Sequence, residues 1–140
     1  MDRLRFSKDK RLVSNGQFKA VLDHRRRAGD RNLVLYVAPN DCGLARLGVS
    51  VGKGCGNAVV RNRLKRLVRE AFRLSQNRIP PGFDYVVMIA GSLARRLKDR
   101  DGGKGVLASL TCQRFQESLL ALIEAAGVCN RDDGSTAGTP

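Results

Sequence analysis

The sequence predicts an α/β protein, an α+β sandwich in which helices pack on a small mixed sheet. Three observations lead there. Leu47, Val49 and Val51 alternate with Gly48, Ser50 and Gly52, the period of two shown by a strand with one lean face. Tyr85 to Ala90 is an unbroken apolar run, as expected of a strand covered on both faces. Between them, Val60, Leu64, Leu67, Ala71 and Phe72, with Val68 at the border, follow the i, i+4, i+7, i+11 spacing of one helical face.

The remaining elements follow in chain order. Residues 1–11 form a basic arm that contains Phe6. Ser14-Asn15 signals a helix start, and Phe18, Val21 and Leu22 share one face of the short helix. Arg25-Arg26-Arg27-Ala28-Gly29 reads as its end, with cations near the C-terminus and a glycine stop. Leu33 to Ala38, aliphatic apart from Tyr36, predicts a strand, and Pro39-Asn40-Asp41-Cys42-Gly43 a turn. After the alternating strand, Lys53 to Asn57 is a glycine-rich connection, and Gly56-Asn57 supplies a close-approach turn and a cap for the next helix. That helix fades at Ser75 to Asn77, and Pro80-Pro81-Gly82 enforces a break. Ser92 to Lys98 predicts a short helix and Asp99 to Gly105 a loop. Phe115, Leu119, Leu122, Ile123 and Ala126 define a final amphipathic helix stopped at Gly127. Residues 1–127 thus form a single domain without internal repeats, and residues 128–140 predict a disordered tail.

Charge narrows the function. The chain has 140 residues, 26 Lys+Arg against 13 Asp+Glu, and a net charge of +13. Such a balance implies an anionic partner, nucleic acid first and an acidic membrane surface second. With 42% hydrophobic residues the chain can still fold around a core. No apolar core of a signal peptide follows the first ten residues, and no run approaches the roughly 18 apolar residues of a membrane span, so a cytoplasmic protein is expected. Cys42, Cys55, Cys112 and Cys129 contain no C-x-x-C spacing, which argues against a zinc ribbon and for reduced thiols. Cys55 reads either as a thiol activated by neighbouring cations or, the preferred reading, as a small residue in a turn.

The charge concentrates in the central helix. Residues 61–73 carry six cations and one acid, Glu70. Arg61, Lys65, Arg69 and Arg73 recur every four residues as a stripe on the exposed flank, and Arg63 and Arg66 widen it. Cations four apart repel, and those near the helix start oppose the macrodipole. The arrangement becomes favourable once phosphates lie beside it. A solvated face would mix signs, so the segment reads as a polyanion-binding surface. Nothing in the sequence supplies chemistry of its own. His24 is the single histidine and has no nucleophile pattern around it. A two-metal nuclease needs convergent carboxylates, whereas acids such as Asp99, Asp101, Asp132 and Asp133 are scattered or lie in loops. Gly52-Lys53-Gly54 is too short for a phosphate loop. No catalytic residue and no metal ligand is therefore expected in the protein.

The wording of the central segment goes further. Ser50-Val51-Gly52-Lys53, then Gly56-Asn57-Ala58-Val59-Val60-Arg61-Asn62-Arg63 and the basic helix to Arg73, resembles the signature of the bacterial ribonuclease P protein subunit. The likeness extends to Arg11-Leu12 with Phe18 and Val21, to Leu33-Val34-Leu35-Tyr36, to Leu47 through Val51, and to Pro81 through Ala90, so it covers about residues 5–126. The resemblance implies a fold with a left-handed β-α-β crossover, an exception to the usual hand, of the kind found in one ribosomal-protein domain. It implies an accessory subunit of a ribonucleoprotein endonuclease that removes the 5′ leader of precursor tRNA. In that assembly the catalytic RNA performs the hydrolysis with Mg²⁺ bound mainly by RNA, and the protein is a monomer apart from it. It further implies that Lys53, Asn57, Arg61, Asn62, Arg63, Lys65, Arg66 and Arg69 face that RNA. Arg11, Phe18, Leu22 and Tyr36 would line a cleft for the single-stranded leader, where aromatic stacking in a basic groove is the usual device.

For Phe18 a plain core role, and for Tyr36 plain sheet packing, remain the alternatives. The chain also departs from the pattern. Leu22 stands where an aromatic is frequent, Gly52 and Gly54 replace a serine and a lysine, and residues 98–109 read as an inserted surface loop. A generic RNA-binding module, such as a ribosomal protein or RNA chaperone, would explain the charge equally well but not the Gly-Asn-Ala-Val-Val-Arg-Asn-Arg wording.

Overall fold

Leu33, Leu35 and Val37 alternate with Val34 and Tyr36, and this alternation assigns the two faces of a four-stranded sheet. The computed structural model describes residues 15–24, 26–40, 43–98 and 104–127. The N-terminal arm with Arg11, the tail at 128–140, Cys42, Cys129 and residues 99–103 lie outside these. In chain order the elements are α1 (Asn15–Asp23), β1 (Arg26–Gly29), β2 (Leu33–Pro39), β3 (Arg46–Ser50), α2 (Ala58–Leu74), β4 (Phe83–Ile89), α3 (Gly91–Leu97), α4 (Lys104–Ser109) and α5 (Cys112–Ala125). Short 3-10 turns, Lys53–Cys55 and Gln76–Arg78, bracket α2. The strand order is β1-β2-β4-β3. β1 with β2 and β2 with β4 are antiparallel, while β3 and β4 are parallel neighbours joined through α2. The mixed α+β sandwich expected from the pattern is the fold observed.

One face of the sheet carries the main core. Leu35, Val37, Leu47, Tyr85 and Val87 meet Leu64, Val68, Ala71 and Phe72 of α2, Phe115, Leu119 and Ile123 of α5, and Leu93 and Leu97 of α3. The opposite face carries a smaller cluster, in which Val21 of α1 packs on Ala38 and Val86. β4 is covered on both sides as its apolar run predicts: Val86 and Val87 point to opposite faces and both are 0% exposed. Tyr85 stacks edge-on against Phe72 at 6.0 Å, and its hydroxyl donates to the Pro80 carbonyl at 2.7 Å. That bond ties the Pro80-Pro81-Gly82 break to the strand it introduces, and burial pushes the phenol well above its ordinary pKa.

The structure corrects three expectations. Arg26 to Gly29 is an edge strand, not a helix terminus: Arg26 pairs with Val37 and Arg27 with Tyr36. The hairpin is closed by Asp30, whose carboxylate accepts the N–H groups of Asn32 and Leu33, both at 2.8 Å. Without β1, one edge of β2 would be left unpaired, and the backbone pairing outweighs the helix-stop signal of the arginines. Second, the 98–109 segment is not loop throughout, since Lys104–Ser109 forms α4. Third, the buried line of α2 runs through Leu64, Val68, Ala71 and Phe72, with Val68 at its centre and Leu67 only partly covered. Packing on both β3 and α5 turns the helix slightly from the face that spacing alone selects.

The parallel pair is pinned at its start. Arg46 of β3 and Asp84 of β4 are register partners, and Arg46 Nε and Nη2 donate to the two Asp84 carboxylate oxygens at 2.7 and 2.8 Å. Asn40 Nδ2 adds a bond to Asp84 Oδ1 at 2.7 Å and one to the Leu44 carbonyl at 3.0 Å. Asp84 is buried, so removing its carboxylate would take away the acceptor that Arg46 and Asn40 share. Asp84→Ala is expected to cost about 2 to 3 kcal/mol in urea unfolding, because a buried pair loses one partner. A loss of about 0.5 kcal/mol or less would show the pair to behave as a surface ion pair instead.

Candidate nucleic-acid interface

The head of α2 is built by three adjacent devices. The Lys53–Cys55 turn is closed by Cys55 N–H donating to the Gly52 carbonyl at 3.1 Å. Gly56 has φ +138, and a Cβ there would come within 3.1 Å of the Val60 side chain, so glycine is required twice over. Asn57 is the cap, its side-chain oxygen accepting the Val60 N–H at 3.0 Å. Cys55 is buried and anchors the turn in the main core. Burial pushes its thiol pKa up, against the opposing pull of the Gly52 bond and of the Arg61 and Lys98 charges. It is therefore a protonated packing residue, in line with the preferred reading of the sequence.

From that cap α2 presents its cations in two ranks. Lys53, Asn57, Asn62, Arg63 and Arg66 are exposed, while Arg61, Lys65 and Arg69 are half-buried along the flank. Arg61 Nε is buried with no hydrogen-bond partner. Arg63, Lys65 and Arg66 form no salt bridge among the described residues. Arg73, the last member of the four-residue repeat, is different. Its Nε donates to Glu70 Oε1 at 3.1 Å and its Nη2 to Oε2. The Arg73 bond holds the Glu70 carboxyl below its ordinary pKa, and the same bond raises the guanidinium. The one acid of the segment thus neutralises the last cation of the repeat.

On the opposite face of the sheet the structure brings Phe18, Leu22 and Tyr36 together. All three are half-buried around Val21, with Met88 beside them. Phe18 and Leu22 therefore serve the small core and still offer surface. Arg11 lies outside the described residues. Sequence reasoning missed Arg27: the Arg27 guanidinium lies 5.7 Å over the Tyr36 ring, in the range of a cation–π contact. The signal for it was the cross-strand register, and that register was hidden while the arginine run read as a helix end.

Among the described residues no three His, Cys, Asp or Glu side chains come together to hold a metal ion. Asp84 and Glu70 are already bonded to arginines. No helix among the described residues is long and apolar enough to cross a membrane.

Comparison with known proteins gives one answer throughout. Residues 6–101 match the family model described as Ribonuclease P. The chain is 33% identical over 124 residues to a ribonuclease P protein component of Clostridium botulinum, covering 88% of this chain and 99% of that protein. It is 44% identical over 95 residues to that of Shouchella clausii, covering 67% of this chain and 77% of the relative. Among solved structures, the Staphylococcus aureus RNase P protein superposes with a TM-score of 0.66 at 27% identity, over 86% of this chain and 98% of that one. The RNase P protein from Thermotoga maritima gives the same TM-score at 29% identity, over 79% and 92% of the two chains. With the mixed sheet, the capped cationic helix and the half-buried aromatic face all in place, the chain belongs to the ribonuclease P protein family.

Proposed function

We propose that this chain is the RNA-docking and leader-holding subunit of a cytoplasmic ribonuclease P ribonucleoprotein. In this reading α2 lies against the catalytic RNA through Arg61, Asn62, Arg63, Lys65, Arg66 and Arg69, with Lys53 and Asn57 at its head. The observation that carries it is the geometry of α2: exposed Arg63 and Arg66 without a salt bridge among the described residues, on a helix whose start is fixed by Gly56 and Asn57 and whose other face is buried. A helix fixed in this way meets phosphates without further ordering, so little of the electrostatic gain is lost to immobilisation. Phe18, Leu22, Tyr36 and Arg11 are assigned to the 5′ leader of precursor tRNA, with Arg27 added from the register of β1 on β2. Half-buried rings in a cationic surround suit single-stranded RNA, whose unpaired bases stack while its phosphates are neutralised.

The protein's part is to bind and orient. Hydrolysis of the phosphodiester and its Mg²⁺ are assigned to the RNA, since the described carboxylates form no set of oxygen ligands. Lowering the repulsion between RNA segments helps the RNA hold its own ions.

Two measurements test this reading. Cleavage of a precursor tRNA is expected only when a ribonuclease P RNA and this protein are combined at low Mg²⁺, with neither active alone. If about six phosphates are neutralised, log K against log salt should fall with a slope of about −4 to −5. Arg61→Ala with Arg63→Ala should make that slope shallower by between about 1 and 2. A salt-independent affinity, or no stimulation of the RNA, would overturn the reading in favour of a generic binder. For the leader, the holoenzyme should bind precursor tRNA more tightly than mature tRNA. Phe18→Ala should narrow the gap by about 1 to 3 kcal/mol, the usual worth of one stacked base. Equal affinities for the two tRNAs in the unsubstituted holoenzyme would remove the cleft from the account.

A further inference from the structure

A third cation reaches the head of α2 from a distant part of the chain. Lys98 caps α3, its backbone N–H donating to the Arg95 carbonyl at 3.1 Å. α3 packs on the Lys53–Cys55 turn, and this packing carries the Lys98 side chain across to it. A Cβ built on Gly54 would stand 3.9 Å from Lys98 Nζ, so the ammonium hangs over the one residue of the turn that offers only backbone. Cys55, next in the chain, feels the charges of both Arg61 and Lys98. Lys53 is exposed on the same turn. Three separate segments therefore bring cations to the neighbourhood of the Lys53–Cys55 turn, and none of the three forms a salt bridge among the described residues.

Like charges gathered without a counter-ion are unfavourable in the free protein and become favourable around an anion. A cation at a helix C-terminus also complements the macrodipole, and that alone would explain a lysine at the end of α3. It would not explain why the side chain lies over Gly54, nor why Arg61, whose charge reaches the neighbouring Cys55, has its Nε buried and unpartnered. We propose that Lys98 is a further RNA-binding residue. With Lys53 and Arg61 it forms a three-cation seat over Gly54 for a phosphodiester group, extending the docking surface from α2 on to α3. The proposal rests on the RNA-docking reading of α2. Position 54 is also where the sequence resemblance leads one to expect a lysine, so the seat receives from α3 the charge that the turn itself lacks.

The test uses Lys98→Ala, Gly54→Lys and the double variant in the full chain. A Cβ on Gly54 meets only Lys98 Nζ, at 3.9 Å, and the backbone φ lies outside the left-handed region, so a lysine there reaches the same area. Binding is measured over a salt series, first to ribonuclease P RNA alone and then, with the assembled holoenzyme, to precursor tRNA. Lys98→Ala should weaken one of these about fivefold near physiological salt and make its salt slope shallower by about 0.7 to 0.9, the signature of one lost phosphate. Adding Gly54→Lys should restore both. Loss in the first arm assigns the phosphate to the catalytic RNA, and loss only in the second assigns it to the substrate.

Unchanged affinity and slope in both arms overturns the proposal, while a loss from Arg61→Ala with Arg63→Ala in the same assay leaves the α2 reading standing. A loss that Gly54→Lys does not restore, accompanied by a lower melting temperature, overturns it as well, because Lys98 would then act through α3 alone. Absence of salt-dependent RNA binding by the unsubstituted protein removes both readings together.

Discussion

The parallel pairing of β3 with β4 is the constraint from which the cationic surface follows. Adjacent parallel strands cannot be joined by a tight turn, so the chain must leave the sheet and return. It does so through α2, and the cations of that helix are displayed because its apolar line is committed to β3 and α5. Arg46 and Asp84 fix the register at the start of the pair, and the Tyr85–Pro80 bond fixes the point at which the returning chain rejoins the sheet. The head of the helix is held by the Gly56 turn and the Asn57 cap, and the chain that follows it by the Tyr85–Pro80 bond, and none of these involves its cations.

This division explains how such a charged helix is tolerated. Taken alone, α2 has repelling neighbours at four-residue spacing and no acid in its first turn. Leu64, Val68, Ala71 and Phe72 are each 0 to 1% exposed. Burying large side chains such as Leu64 and Phe72 contributes about 1.5 to 3 kcal/mol each, well above the few tenths that each repelling pair costs. Packing settles the helix in spite of its charges.

What could be read from the sequence divides along the same line. β3, β4, α2 and α5 were legible because each carries its own periodicity, and the Asn57 cap because capping is local. The resemblance in Gly56 through Arg63 pointed to the family before any geometry was known. β1 was not legible: its residues are Arg-Arg-Ala-Gly, without apolar alternation, and only pairing with β2 makes them a strand. Arg27 over Tyr36 depends on that register, and Lys98 over Gly54 on the packing of α3 against a turn far away in sequence. Both are products of tertiary structure and leave no local signal. The inward rotation of α2 toward Val68 has the same origin, since it depends on which neighbours the helix meets.

The Glu70–Arg73 clasp sets a limit on reach. With the final cation clasped to Glu70, the other cations of the helix span Arg61 to Arg69, which at 1.5 Å per residue is about 12 Å. A contact line that short suits a local bend or groove of a folded polyanion better than a long uniform one. In the docking proposed for this helix, recognition would turn on where a few phosphates are clustered in space, and a long regular duplex would offer it no more purchase than a short one.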